Sequence, residues 1–511
     1  MKKFIVFLKS LFSSRKLFIF ILIFFFFESS WIAISAAYPQ AFDEDFHFGL
    51  IKFYTHHLSP ILSSQPIGAD NFGAVFRDPS YIYQYLFSFP LRIIQLFTNN
   101  ILVQVIILRL INIFLFLGGI VIFKRLLIKA GISRGLSNVI LLLFTLIPIV
   151  PQLSAQINYD NLLFPLVGLS LLYSFKIIDG IKKSRIEFRT LGLFSIFNLL
   201  AILTKYVYLP ILLGIFIFLI IYLFGYKNKM KEINESFFVS FKQERYFFKF
   251  SLIITTIVLS LLFIQRDVYN LIKYHNVAPQ CSSVLSIDHC SKYGPWEYNR
   301  ISHSELIKLE HSGHHPIQGI WYFLKQWLYW MWFRLFFAIN GPTSSYTNYP
   351  PLPLPCAAAL GLFFVGVVLF FINIKKILTN NPKIILLLVI SSFYIVALFL
   401  QGLTTYKYTN VLENMNGRYL IPVLIPLAAI FSLGFSISLK KYTNIKYLLG
   451  IIIIALFLNG GGFLTFIERS DDSWVVPNRT VRKLNNTARH ITEPIIEHGD
   501  KIYYSERWFF N

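Results

Sequence analysis

Charge is what this chain lacks. Asp, Glu, Lys and Arg make up 14% of its 511 residues, against about 25% in a soluble domain. So few charges cannot cover a soluble fold, which excludes an ordinary cytosolic enzyme and a disordered chain. Cysteine is scarce too. Three residues exclude a disulfide-built scaffold and argue against a metal cluster. Cys281 and Cys290 are close enough in sequence to pair if their segment lies outside the cell, although spacing alone does not supply the bond geometry. Neither a solenoid-type repeat nor a low-complexity linker is present. Acidic residues are the rarer sign, 25 against 47 basic, for a net charge of +22. That excess does not mark a nucleic-acid binder, because the basic residues alternate with hydrophobic runs.

Apolar bulk is what remains: 55% of residues are hydrophobic, 18% are aromatic and 54 are Phe. Eleven hydrophobic segments stand out, near 17–36, 101–122, 137–154, 161–175, 190–203, 207–225, 250–266, 355–374, 384–402, 418–439 and 447–466. A helix needs about 20 residues to cross a bilayer, and only internally satisfied backbone is stable there. The pattern predicts an all-α polytopic membrane protein with about 11 transmembrane helices. Segment 1–37 reads as an uncleaved anchor, since its apolar run is long for a signal peptide and holds Trp31.

Lys and Arg set the expected orientation. With the N-terminus in the cytoplasm, the inner segments hold 26 basic and 5 acidic residues in 84 positions. The outer segments hold 20 basic and 19 acidic residues, and all eleven His. Polar chemistry is therefore expected outside, as is the C-terminus. The expected organisation is a transmembrane domain over 1–466 and a short outer tail over 467–511. Two large outer segments, 37–100 and 267–354, carry aromatic stretches suited to interfacial helices, Tyr81–Phe87 and Trp321–Arg334.

Four places carry chemistry. The first is Asp43-Glu44-Asp45-Phe46-His47, where crowded carboxylates should raise one pKa and suit a general base or a metal ligand. An acidic helix start is the alternative. The second is Asn158-Tyr159-Asp160, a helix cap or a second acid converging on the first. Lys205 is the third. Arg418 and Tyr419, in Gly417-Arg418-Tyr419, are the fourth. Cations at the edge of the hydrocarbon either snorkel to headgroups or bind a lipid-linked phosphate. Arg418 opens a helix, where the dipole disfavours a cation, so it is expected to serve a ligand. Arg77-Asp78-Pro79 reads as a turn and Arg266-Asp267 as a helix end. Glu28 and Arg109 lie inside spans, where ionisable groups are costly, and pair with each other in the simplest reading. His311, His314 and His315 read as surface histidines of a loop.

The order of these elements resembles the GT-C superfamily of membrane glycosyltransferases. Phe42-Asp43-Glu44 with His47-Phe48-Gly49 is similar to the first-loop motif of protein mannosyltransferases, with one extra residue before the His. Gly417-Arg418-Tyr419 with Pro422 is similar to an uncharacterised bacterial branch. The resemblance covers roughly residues 1–440, and no large C-terminal soluble domain is recognisable. It implies transfer of a sugar from a polyprenyl-phosphate donor to an acceptor hydroxyl at the outer face of a bacterial inner membrane, with inversion. Asp43 would be the general base. Glu44, Asp160, Asn158 and His47 would position the acceptor or hold a divalent cation (Mg²⁺, Mn²⁺ or Ca²⁺), and Lys205, Arg418 and Tyr419 would bind the lipid phosphate. The glycan, lipid or protein acceptor is not specified. A transporter or flippase of lipid-linked sugars, or an oligosaccharide polymerase or ligase, are the competing functions.

Overall fold

Long apolar runs with few internal charges fold as helices here, and short polar residues start several of them. Ser14, Asn100, Ser133 and Asn381 each accept a backbone N–H three residues on. The computed structural model describes residues 2–40, 43–315, 317–336, 354–379, 381–413, 415–458, 462, 466–467 and 475–501. Phe42 of the first-loop motif, the 337–353 part of the second large segment, most of 459–474 and the last residues of the tail lie outside them.

The first half runs α1 (Lys2–Ser13), α2 (Arg15–Ser35), α3 (Glu44–Tyr54), α4 (Ile82–Gln95), α5 (Ile101–Lys129), α6 (Arg134–Thr145), α7 (Ile149–Ser154), α8 (Asp160–Lys182), α9 (Phe188–Thr204), α10 (Leu209–Phe224) and α11 (Met230–Gln243). The second half runs α12 (Tyr246–Phe263), α13 (Tyr269–Tyr274), α14 (Cys281–Val284), α15 (Ile287–Cys290), α16 (Gly294–His311), α17 (Ile320–Phe336), α18 (Leu354–Leu378), α19 (Pro382–Thr409), α20 (Ile421–Ser438), α21 (Thr443–Leu458) and α22 (Arg479–Lys501). No strand occurs among the described residues, only one isolated bridge from Ala36 to Val475.

Among the described residues, eight helical stretches are long and apolar enough to cross a membrane: Arg15–Ser35, Ile101–Lys129, Asp160–Lys182, Tyr206–Phe224, Tyr246–Tyr274, Cys356–Leu378, Pro382–Thr409 and Gly417–Ser438. The other three hydrophobic segments hold shorter apolar helices, Arg134–Thr145, Phe188–Thr204 and Leu448–Leu458. The segment near 137–154 is broken around Pro148, so α6 keeps 12 residues and spans about 18 Å at 1.5 Å per residue.

The helices pack through aromatic side chains. Phe164 on α8 stacks on Phe116 and Phe123 of α5 at 4.3 and 4.7 Å and on Phe144 of α6 at 5.5 Å. Gly119 permits this approach, since a Cβ there would lie 2.3 Å from the Phe164 ring. Between helices in lipid such close packing, rather than water expulsion, is the main cohesive force. α17 buries Phe323, Trp327 and Met331 against its neighbours, while Trp321 at its start stays exposed. His311, His314 and His315 are exposed around the turn that ends α16.

Two sequence expectations change. Arg266-Asp267 does not end a helix but sits in a π-helical turn, Ile264–Val268, inside the stretch Tyr246–Tyr274. The buried Arg266 guanidinium donates to the carbonyls of Val75, Asp78 and Pro60 and so ties the 60–78 segment to this helix. Arg109 is paired with Glu44, not with Glu28. Its Nε and Nη2 meet the two Glu44 oxygens at 2.8 and 2.7 Å, and both side chains are fully buried. Sequence shows that a buried cation needs a partner, but does not show which acid folds back onto it.

Candidate functional site

The acidic motif opens α3. Asp43 takes a left-handed backbone conformation (φ 67°, ψ 29°) at the helix start, which Asp tolerates better than most residues. Successive residues of a helix point about 100° apart. The three carboxylates therefore diverge: Asp43 and Asp45 are exposed and Glu44 is buried. The expected repulsion among them is replaced by separate partners.

Glu44 is a strut. Besides Arg109, it accepts from the backbone N–H of Gln40 at 2.8 Å and of Ile157 at 3.1 Å. Arg109 also donates to the carbonyls of Ala33, Ala36 and Ala37, at the end of α2. One ion pair thus fixes α2, α3, α5 and the segment before α8 to one another. Four donors on the protein thus engage the Glu44 oxygens, which were expected to handle an acceptor or a cation.

Asp43 meets Arg418 from the far end of the chain, with Nη2 to Oδ2 at 2.9 Å. Arg418 is 7% exposed at its side chain and Asp43 62%, so the pair lies at the protein surface rather than inside the core. Crowding by protein works against ionisation of Asp43. The Arg418 guanidinium, with help from Lys205, outweighs it and holds the carboxyl below its usual range. The sequence expectation of a raised carboxyl pKa is thereby reversed for Asp43. Arg418 is itself positioned from behind. Asn416 caps its N–H at 3.0 Å, and α17 presses on Gly417 so closely that a Cβ there would lie 2.6 Å from the Met331 carbonyl.

Asp160 opens α8, with its N–H held by the Asn158 side chain at 2.9 Å. Its Oδ1 binds Lys205 Nζ at 2.7 Å, both side chains being about 5% exposed or less. Asp160 Oδ2 makes no hydrogen bond among the described residues. Lys205 Nζ also stands 4.4 Å from the Tyr159 ring centroid and 5.1 Å from that of Tyr419. The Arg418 guanidinium carbon lies 5.1 Å from the same Tyr419 ring. Both cations therefore flank one aromatic ring.

His47 lies one turn after Asp43, 2% exposed, with its ring edge-on to Tyr159 at 4.4 Å. Gln84 on α4 faces His47 Nδ1 at 3.3 Å. With its oxygen toward that nitrogen, the Gln84 amide nitrogen donates to the Tyr81 and Ser80 carbonyls at 3.1 and 3.0 Å. This assignment puts the His47 proton on Nδ1 and leaves Nε2 a lone pair. Burial pushes the imidazole down to about 4, so it is neutral near pH 7.

That shift has a consequence for stability. Between about pH 6.5 and 4 the unfolded chain binds a proton that folded His47 refuses. Its contribution is whole above pH 6.5 and is lost as pH falls through 4, on the order of 3 kcal/mol in total. We expect His47→Gln to flatten the acid side of the stability profile, measured as thermal unfolding in detergent from pH 4 to 7.5. Parallel profiles for the two proteins would show that His47 is not held neutral by the fold.

The structure thus brings Asp43, His47, Asp160, Lys205, Arg418 and Tyr419 into one network, with Asn158 behind it and Glu44 below it. Gln84 and Tyr159 belong to the network and were not singled out from the sequence. Tyr159 stands within Asn158-Tyr159-Asp160, and Gln84 is the polar residue of the aromatic stretch Tyr81–Phe87. Among the described residues no three His, Cys, Asp or Glu gather as a metal-binding group. Asp43 and Asp160 each face a cationic side chain, a donor set that does not fit an oxygen-rich cation site. Paired cations beside an ionised carboxylate and an unfilled acceptor suit an anionic ligand that displaces the pairs. No family model, curated protein or solved structure matches this chain.

Proposed function

We propose that the chain is a GT-C-like glycosyltransferase of the bacterial plasma membrane, with eleven crossings, a cytoplasmic N-terminus and the two ion pairs on the outer face. Sugar passes from a polyprenyl-phosphate donor to an acceptor hydroxyl with inversion. The observation that carries this is the convergence of Asp43, Asp160, Lys205 and Arg418, from four distant segments, around Tyr159 and Tyr419. The Cys281–Cys290 disulfide agrees with an outer placement.

The ion pairs make the mechanism. A donor phosphate entering between Lys205 and Arg418 competes with the carboxylates for both cations. As Arg418 turns to the phosphate, Asp43 loses its stabilising charge and becomes a stronger base. Asp43 then takes the proton of the acceptor hydroxyl while that oxygen bonds to the anomeric carbon. The bond from this carbon to the phosphate oxygen breaks on the opposite side, and the polyprenyl phosphate leaves with the electron pair. Lys205 and Arg418 stabilise the charge it gains. Neutral His47 orients polar groups beside Asp43 without repelling the cations.

Mass spectrometry of envelope glycans, lipids and proteins from a deletion strain tests this. One sugar should vanish on deletion and return with the wild-type gene. Lys205→Met at equal expression should restore about a hundredth or less of the transfer rate. An envelope unchanged by the deletion would reject the function.

A further inference from the structure

One aromatic residue packed against the helix of the acidic motif comes from an element that no motif marked. Cys281 and Cys290 form a disulfide, with Cα atoms 5.7 Å apart, which closes the turn of α14 and α15. This turn is clamped to the 37–100 segment. Asp70 binds His289 Nδ1 at 3.0 Å and Lys292 Nζ at 2.9 Å. The next residue, Tyr293, lies over Gly73, where a Cβ would come within 3.1 Å of its ring. Its ring also packs 6.2 Å from that of Phe46, which itself meets His47 at 5.7 Å. The Tyr293 hydroxyl has no hydrogen-bond partner among the described residues, and the side chain is only half-buried. Burial together with the carboxylates of Asp78 and Asp43 pushes its phenol upward, so the hydroxyl stays a donor at any working pH.

We propose that Tyr293 is an acceptor-positioning residue, which presents its ring and free hydroxyl to a saccharide ring held against Asp43. This rests on the glycosyltransferase function above and names the acceptor class for it. Tyr293 and Phe46 are two half-buried aromatic rings packed together, the Tyr293 hydroxyl is a donor, and Asp43, which opens the helix carrying Phe46, is an acceptor. A sugar ring has the matching surfaces, a C–H face and a rim of hydroxyls. The phosphate-binding cations belong to the Tyr419 side, so Tyr293 acts on the acceptor and not on the lipid donor. The disulfide and the Asp70 clamp fix the turn before the acceptor arrives, which lowers the cost of ordering it.

The deletion strain supplies both probes, its extracted lipid-linked sugars as donor and its delipidated envelope polysaccharide as acceptor. Initial transfer rates are measured with each probe diluted in turn, for wild type, Tyr293→Ala, Tyr293→Phe and Tyr293→Trp in detergent. Tyr293→Ala should raise KM for the polysaccharide about tenfold, with kcat and the donor KM within about twofold of wild type. Tyr293→Phe should cost a few-fold, and Tyr293→Trp should recover most of the loss by restoring a flat face. Equal changes in both KM values, or a fall in kcat alone, would reduce Tyr293 to a packing residue and overturn the proposal. Label recovered on protein rather than polysaccharide would overturn the saccharide acceptor. Should Tyr293→Ala not fold, the Phe and Trp variants decide by the same split. Wild type that transfers no label at all would instead bring down the glycosyltransferase function, and this inference with it.

Discussion

Asp43→Asn should lower the rate of sugar transfer by about 10²- to 10⁴-fold, the usual contribution of a positioned general base. The fold should survive, because Asn accepts the left-handed conformation at this helix start almost as readily as Asp. The side chain is also mostly exposed. Binding of undecaprenyl phosphate should hold or strengthen, since Arg418 no longer has a carboxylate to leave. The two readouts therefore move in opposite senses, which general damage to the protein would not produce. Transfer by purified Asp43→Asn at the wild-type rate would remove Asp43 from the chemistry and return transport of lipid-linked sugars to consideration.

Arg109→Met should be the most damaging single change to the fold. It leaves Glu44 charged and buried, and removes the donors for three carbonyls at the end of α2. Breaking one side of a buried pair costs about 3–5 kcal/mol. The unfolding temperature in detergent should fall sharply, together with the yield of folded protein. Adding Glu44→Leu to Arg109→Met should recover part of the loss, because the stranded charge goes too. A double-mutant cycle over these positions measures the coupling. An unchanged unfolding temperature for Arg109→Met would show that this pair does not hold α2 to α3.

The helices were legible because their signal is local: apolar runs, capping Ser and Asn, and proline breaks. Length was less so. The run near 137–154 reads as one segment by hydropathy, yet it breaks around Pro148. The site residues were legible one by one, as polar groups placed where they are costly. Their pairing was not. Glu28 lies nearer the apolar heart of the chain and looked the natural partner of Arg109, but Glu44 folds inward because it follows Asp43 by one helical position. Likewise, the sequence places three carboxylates side by side, and only the helix shows them turning apart. Tyr293 was invisible for another reason. Its place depends on a disulfide and on Asp70, neither of which spacing alone can join to the acidic motif.

Asp43 and Arg418 are 375 residues apart in the chain, and Glu44 and Arg109 are 65 apart. At about 5–20 residues per second of synthesis, the first gap lasts roughly 20–75 seconds and the second roughly 3–13. A ribosome therefore delivers the strut early and the last cation late. In the interval the acidic motif is braced but incomplete, and a chain halted before Arg418 carries the carboxylates of the network without the guanidinium that pairs with Asp43. Under the proposed mechanism such a chain would lack a phosphate-binding cation, so completing translation would also complete the site.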